Sequence, residues 1–196
     1  MVMWNEIYAP LISRSQIREI AAAIRRQFGC GRKPYEKTPT FDIHHFLDVE
    51  LADFLPRFRL EVVPDDEMQG ALAYADPEGC RILVRESVEA KARNGDGEAR
   101  GILAHELGHM FLHARLRLAR TQTAELPAEY SAETQADIFA DELLCPVEFV
   151  DATDSPQELM ARFAVDQKRA ALVYRQLRDE SIIRPVMSGE QLGLQW

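Results

Sequence analysis

Residues 103–113 read LAHELGHMFLH. A helix turns about 100° per residue, so His105 and His109 project within about 40° of each other and lie about 6 Å apart along the axis. Both imidazoles can then reach a single ion at a zinc–nitrogen distance of about 2 Å. Glu106 stands beside them rather than between them, where its carboxylate can hold a water without taking a ligand position. The competing reading is a buried helix with two satisfied core histidines. Leu103, Leu107, Met110, Phe111 and Ala114 gather roughly opposite the histidines, while Ile102 and Leu112 share the histidine side. A histidine pair on a covered face needs a polar partner. Gly108 costs about 1 kcal/mol inside a helix and predicts the close approach of another backbone. The metal reading accounts for all of this.

His113 is excluded as a third ligand, because three histidines at i, i+4 and i+8 on one straight helix span about 12 Å. Two roles stay open for it: support of a ligand through a hydrogen bond, or a place facing solvent. A catalytic zinc takes three protein ligands, and the stretch SAETQADIFADELLCP at 131–146 offers Glu133, Asp137 and Asp141, four apart. Ala132, Ala136, Phe139, Ala140, Leu143 and Leu144 form the packing side of this second helix, and the alanines would let it lie close to the first. We read Glu133 as the third ligand and Asp137, one turn on, as the acceptor that orients a liganding histidine. The alternative is a solvated stripe of three acids. Tyr130 is a candidate second donor to an oxyanion, with simple packing as its other reading.

The rest of the chain builds a frame around these two helices. Ser13 and Gln16 have capping-box spacing before Ile17, Ile20, Ala21, Ile24 and Phe28, with Gly29 as a stop. A second helix follows Thr40, with Ile43, Phe46, Leu47, Leu51 and Phe54 on its apolar side and Pro56 ending it. RFRLEVV at 57–63 alternates with Phe58, Leu60 and Val62 on one face. QGALAYA and CRILVRE flank DPEG at 76–79, a type I turn with Pro77 second, and the three strands form a small antiparallel sheet. NGDGEA at 94–99 is a loop, and LARTQTAELPAEY at 118–130 is an irregular connection. Ser155 opens another capping box before helices at 156–164 and 167–179. The order α-α-β-β-β-α-α-α-α predicts an α+β fold, with residues 1–150 as the main domain and 151–196 as a small helical extension of helix-turn-helix look.

Composition narrows the function. The 196 residues carry 23 basic and 32 acidic side chains, a net charge of −9 that gives no global attraction to phosphate backbones. No apolar run is long enough to span a membrane. The N-terminus lacks the plan of a secretion signal, so a cytoplasmic location is expected. Cys30, Cys80 and Cys145 form no CxxC pair and read as reduced, hydrophobe-like thiols.

LAHELGHMFLH, followed by E-x-x-A-D-x-F-A-x-x-L-L-x-P from Glu133 to Pro146, resembles the ImmA/IrrE zinc metallopeptidases, a gluzincin-like HExxH family. The resemblance covers about residues 40–180. It implies a compact zincin-like fold with a small sheet packed on helices, and cleavage of a helix-turn-helix repressor in a stress or mobile-element response. It places the metal ligands on His105, His109 and Glu133 and the catalytic glutamate on Glu106, with one zinc ion per chain and manganese or iron(II) as alternatives. Many relatives carry glutamate in place of Gln135 and asparagine in place of Asp137. The expected partner is thus a protein substrate rather than DNA. A different class of function, a metal-stabilised repressor-binding or toxin–antitoxin module without proteolysis, stands as the rival.

Overall fold

The computed structural model describes residues 7–28, 40–113, 119–120, 131–151 and 153–179. In chain order the elements are β1 (Ile7–Tyr8), α1 (Arg14–Phe28), α2 (Ile43–His45), a π-helical turn (Phe46–Glu50) running into α3 (Leu51–Phe54), β2 (Arg59–Val63), β3 (Ala73–Asp76), β4 (Arg81–Arg85), α4 (Glu86–Arg93), α5 (Gly97–His113), β5 (Ala119–Arg120), α6 (Ala132–Leu144), α7 (Pro156–Phe163) and α8 (Gln167–Asp179). The fold is mixed α+β, as the periodicity predicts.

Local chemistry starts the helices where it should. The Ser13 amide donates to Gln16 Oε1 at 2.9 Å and the Gln16 amide to Ser13 Oγ at 3.3 Å, closing a capping box. Asp42 caps α2 by accepting from the His45 amide. Asp96 caps α5 by accepting from the Ala99 amide at 2.9 Å, and Ser155 with Glu158 forms a second capping box on α7, with Pro156 at its start.

Helix α5 is the centre of the molecule. Leu103, Ala104 and Leu107 are fully buried, and so are Ala136, Phe139, Ala140, Leu143 and Leu144 on α6. The two helices touch backbone to backbone: a Cβ on Gly108 would stand 2.8 Å from Ala136 Cα and 3.0 Å from its carbonyl oxygen. The glycine and the alanine are thus two halves of one close crossing. On the other side of α6 lies α1. Arg25 donates to the Leu143 carbonyl at 2.6 Å, near the C-terminus of α6 where a cation is welcome, and Arg14 and Arg18 grip Glu142.

The sheet departs from expectation. Its order is β2-β4-β3, with β3 antiparallel to β4 but β2 parallel to it. It is a mixed sheet rather than an antiparallel one. Residues 64–72, with Gln69 and Gly70 at positive φ, carry the chain past the end of β4, so that β4 enters between its predecessors. The centre goes to the strand with most to bury, since Ile82 and Val84 are fully covered while Val62, on edge strand β2, is 47% exposed. The turn is also displaced by one residue: the Cys80 amide donates to the Pro77 carbonyl at 3.3 Å, and Cys80, not Gly79, takes positive φ. Asp76 Oδ1 meanwhile accepts from the Gly79 amide.

Helix α4 was not expected; it buries only Val88 and Ala92, too few to give a periodic signal. Phe54, assigned to an apolar face, is 53% exposed but meets Phe28 edge to face. Cys145 is buried and Cys80 partly so, both as free thiols. Cys30, Gly29 and Ala114 lie outside the described residues, as does most of 118–130. The two residues described there, β5, pair antiparallel with β1.

Helices α7 and α8 add Leu159, Phe163, Val165, Ala170, Val173 and Leu177 to the same hydrophobic cluster as α5 and α6. Buried Arg100 on α5 fastens them by donating to the Ala164 carbonyl at 3.0 Å and the Phe41 carbonyl at 2.9 Å.

Gly108→Ala tests the crossing. Alanine gains about 1 kcal/mol of helix propensity, but overpacking against a backbone costs about 1–3 kcal/mol. The variant is expected to show a net loss of up to about 2 kcal/mol of unfolding free energy in urea. A gain in stability would show that the helices are not in contact there.

Candidate metal centre

The crossing brings the polar ends of the two helices together. His105 Nε2 lies 3.1 Å from His109 Nε2 and 3.1 Å from Glu133 Oε2, and His109 Nε2 lies 3.5 Å from Glu133 Oε1. Among the described residues these three form the one group of histidine, cysteine or carboxylate donors that could hold a metal. Ser131, as N-cap of α6, sets Glu133 in the first turn, where a carboxylate suits the helix dipole. The two histidines are mostly covered, whereas the side chains of Glu133 and Asp137 are 59% and 63% exposed. One side of the group therefore opens to solvent.

Each histidine has a further partner. Asp137 Oδ1 sits 2.9 Å from His105 Nδ1. His109 Nδ1 sits 3.1 Å from His113 Nδ1, and His113 Nε2 sits 3.2 Å from Gln135 Oε1. Gln135 in turn donates to the Pro10 carbonyl at 3.0 Å. His113 is buried, so of the two roles open to it the solvent-facing one is ruled out.

Glu106 points towards the sheet, where its Oε2 accepts from the Ala75 amide at 2.7 Å. Ala75 belongs to the edge strand β3, so that amide is directed away from β4. Burial raises the Glu106 pKa, against the pull of the two imidazoles and the Ala75 hydrogen bond. Burial also works against a charge on His105, but hydrogen bonds to Asp137 and Glu133 outweigh it and hold the pKa at about 9. Those same contacts with His105 and His109 depress the Glu133 carboxyl. Burial lowers the pKa of His113.

The third acid of α6 behaves differently. Asp141 is buried and ion-paired with Arg169 of α8, and desolvation still pushes its pKa up to about 6. It is thus no part of a solvated stripe. A cleft of about 600 Å³ lies beside the donor group, walled by Ala73 from the sheet, Ile102 and Glu106 from α5, Asp137 from α6, and Lys168 and Leu172 from α8. Tyr130 lies outside the described residues. Sequence reasoning missed the Ala75 amide, Gln135 and Arg169. Gln135 had one signal, a polar side chain among the buried-face positions of α6; a backbone amide has none.

A family model described as the IrrE N-terminal-like domain, a peptidase family, matches residues 57–168. That span holds the sheet, α5 and α6, and the chain belongs to this family. A metallopeptidase-type function and a protein substrate follow from the membership. None of the curated proteins matches the chain. No helix among the described residues is long and apolar enough to cross a membrane.

The raised pKa of His105 gives the metal-free chain a pH signature. A group whose folded pKa exceeds its unfolded 6.5 stabilises fully below 6.5, and that contribution is lost as pH rises through about 9. Asp141 titrates below this window. With chelator present, the melting temperature is expected to fall between pH 6.5 and 9.5, and Asp137→Asn should flatten the slope. An unchanged slope in the variant would remove Asp137 as the source of the shift.

Proposed function

We propose that the chain is a zinc-dependent endopeptidase that cleaves a helix-turn-helix transcriptional repressor in a stress or mobile-element response, with His105, His109 and Glu133 as metal ligands. The observation that carries this reading is the spacing of the three donors. Tetrahedral ligands at about 2.0–2.1 Å from zinc stand about 3.3–3.4 Å from one another. The two imidazole nitrogens are 3.1 Å apart here, Glu133 comes within 3.1 Å of His105 through Oε2 and 3.5 Å of His109 through Oε1, and one donor atom from each residue lies within 4.8 Å of the others. Two neutral imidazoles and one carboxylate also match zinc in donor type, and manganese or iron(II) would accept the same set.

A zinc ion bound there supplies the Lewis acidity that makes a water nucleophilic near neutral pH and polarises a peptide carbonyl. Glu106 is the general base. The Ala75 amide fixes its Oε2 and leaves Oε1 to take a proton from the water and return it to the leaving amine. Its raised pKa suits both duties, since a base that must later act as an acid works best near the operating pH. Asp137 orients His105, and His113 stands in the corresponding position behind His109. Tyr130, one turn before Glu133 in sequence, is the candidate second donor to the oxyanion. β3 is an edge strand bordering the cleft, so an extended substrate segment can add to it by main-chain hydrogen bonds other than that of the Ala75 amide, which Glu106 holds.

Glu106→Gln should keep about one zinc per chain while cleavage falls by about 10²–10⁴-fold. The assay is intact-mass analysis of candidate repressors incubated with wild type and variant, with and without chelator. Metal-dependent new masses from wild type alone support the peptidase. Binding of a repressor with unchanged mass would favour the non-proteolytic module, and equal cleavage by the variant would remove Glu106 as base.

A further inference from the structure

The hydrogen-bond chain behind His109 reaches an atom that cannot donate, and this fixes the protons between that atom and His109. The Pro10 carbonyl only accepts, so the Gln135 group 3.0 Å from it is the amide NH₂. The Gln135 oxygen therefore faces His113 Nε2 at 3.2 Å, and that nitrogen must carry hydrogen. His113 is buried and its partners here are an imidazole and an amide rather than a carboxylate, so it is uncharged and presents a bare Nδ1. His109 Nδ1 lies 3.1 Å away, a contact that neither two bare nitrogens nor two N–H groups would hold. The hydrogen between them belongs to His109. Its lone pair is left on Nε2, and the hydrogen in the 3.1 Å contact between that atom and His105 Nε2 is then on His105.

We propose that Gln135, anchored on the Pro10 carbonyl, is a positioning residue that acts through His113 to set the tautomer of His109, keeping Nε2 free of hydrogen and open to a metal. This rests on His109 being a ligand, as the proposed function has it. The work is needed because free neutral histidine in water prefers hydrogen on Nε2, the form that cannot ligate through that atom. His105 is set directly by the carboxylate of Asp137, which can stay partly in solvent. The position behind His109 is different, since His113 and Gln135 are both buried. There an uncharged relay imposes the same order without burying a carboxylate.

Metal-free full-length chain, labelled with nitrogen-15, would report the tautomer through long-range proton–nitrogen correlations of the histidine rings. Zinc affinity would be read by competition with a chromophoric chelator. In wild type, His109 is expected to carry hydrogen on Nδ1. In Gln135→Leu it should shift towards Nε2–H, and zinc affinity should fall about 10–100-fold, the usual loss on removing an outer partner of a ligand. His113→Phe breaks the same relay at another point and is expected to act alike; melting curves of the metal-free variants identify any that fail to fold. Wild-type His109 bearing Nε2–H beside normal zinc uptake would overturn the relay and leave the metal reading intact. Nδ1–H on His109 in a chain that takes up no zinc would do the reverse. Zinc binding as tight in both folded variants as in wild type would also overturn the relay.

Discussion

Where α5 crosses α6, Gly108 leaves room for the backbone of Ala136 and the two helix axes close to their nearest approach. That contact is made of carbon, not charge. Leu103, Leu107, Phe139 and Leu143 are fully buried around it, and each large side chain so covered contributes about 1.5–3 kcal/mol. Exposed ion pairs contribute about 0–1 kcal/mol apiece. Packing therefore decides where the helices lie, and the polar groups inherit their separations from it. His109 follows Gly108 by one residue and Glu133 precedes Ala136 by three, so a shift at the crossing becomes a shift at the donor group almost undiminished.

Around that crossing the polar atoms are held from three directions. The sheet provides the Ala75 amide to Glu106, α6 provides Asp137 and Gln135, and the N-terminal segment provides the Pro10 carbonyl. A site held this way is arranged before any ligand arrives, which is where much of the reorganisation cost of catalysis is avoided. The metal-free arrangement also requires a proton. With its pKa near 9, His105 is charged at neutral pH and shares that charge with Glu133 and Asp137. A metal would compete with this proton for the same Nε2 lone pair, so binding and proton release are coupled.

The helices were legible in the sequence because their signals are local. Capping boxes at Ser13 and Ser155 and the period of Ile17, Ala21 and Ile24 are written within a few residues of chain, and Gly108 and Ala136 stand out as small residues even though the contact they make lies between two helices. The sheet order was not legible. Which strand lies in the middle depends on the path of residues 64–72, and the alternation of RFRLEVV is the same beside a parallel or an antiparallel neighbour. Helix α4 escaped because Val88 and Ala92 make too short a stripe. At the donor group, side chains with a strong chemical identity stood out, whereas the Ala75 amide and the Pro10 carbonyl are backbone atoms that every residue possesses. Arg169 was hidden for a related reason: a basic residue on an amphipathic helix looks solvated until Asp141 is found beneath it.

That pairing bears on what the last two helices offer to a ligand. The segment 155–184 has six basic residues against four acidic, a small positive excess that invites comparison with nucleic-acid readers. Two of those cations face inward. Arg169 is joined to buried Asp141, and Arg162 to Asp154 beside the Phe149 carbonyl. Ala170, Val173 and Leu177 turn α8 onto the core. What α8 gives to the cleft is Lys168, Arg169 and Leu172, two cations, one of them already joined to Asp141, and an apolar side chain. Phosphate binding draws on several unpaired cations acting together, whereas a peptide needs apolar surface with few charges beside an unpaired strand edge. With Arg169 committed to Asp141, the wall that α8 forms does not gather several unpaired cations, and the ion pair holds that wall in register with the helix bearing Glu133 and Asp137.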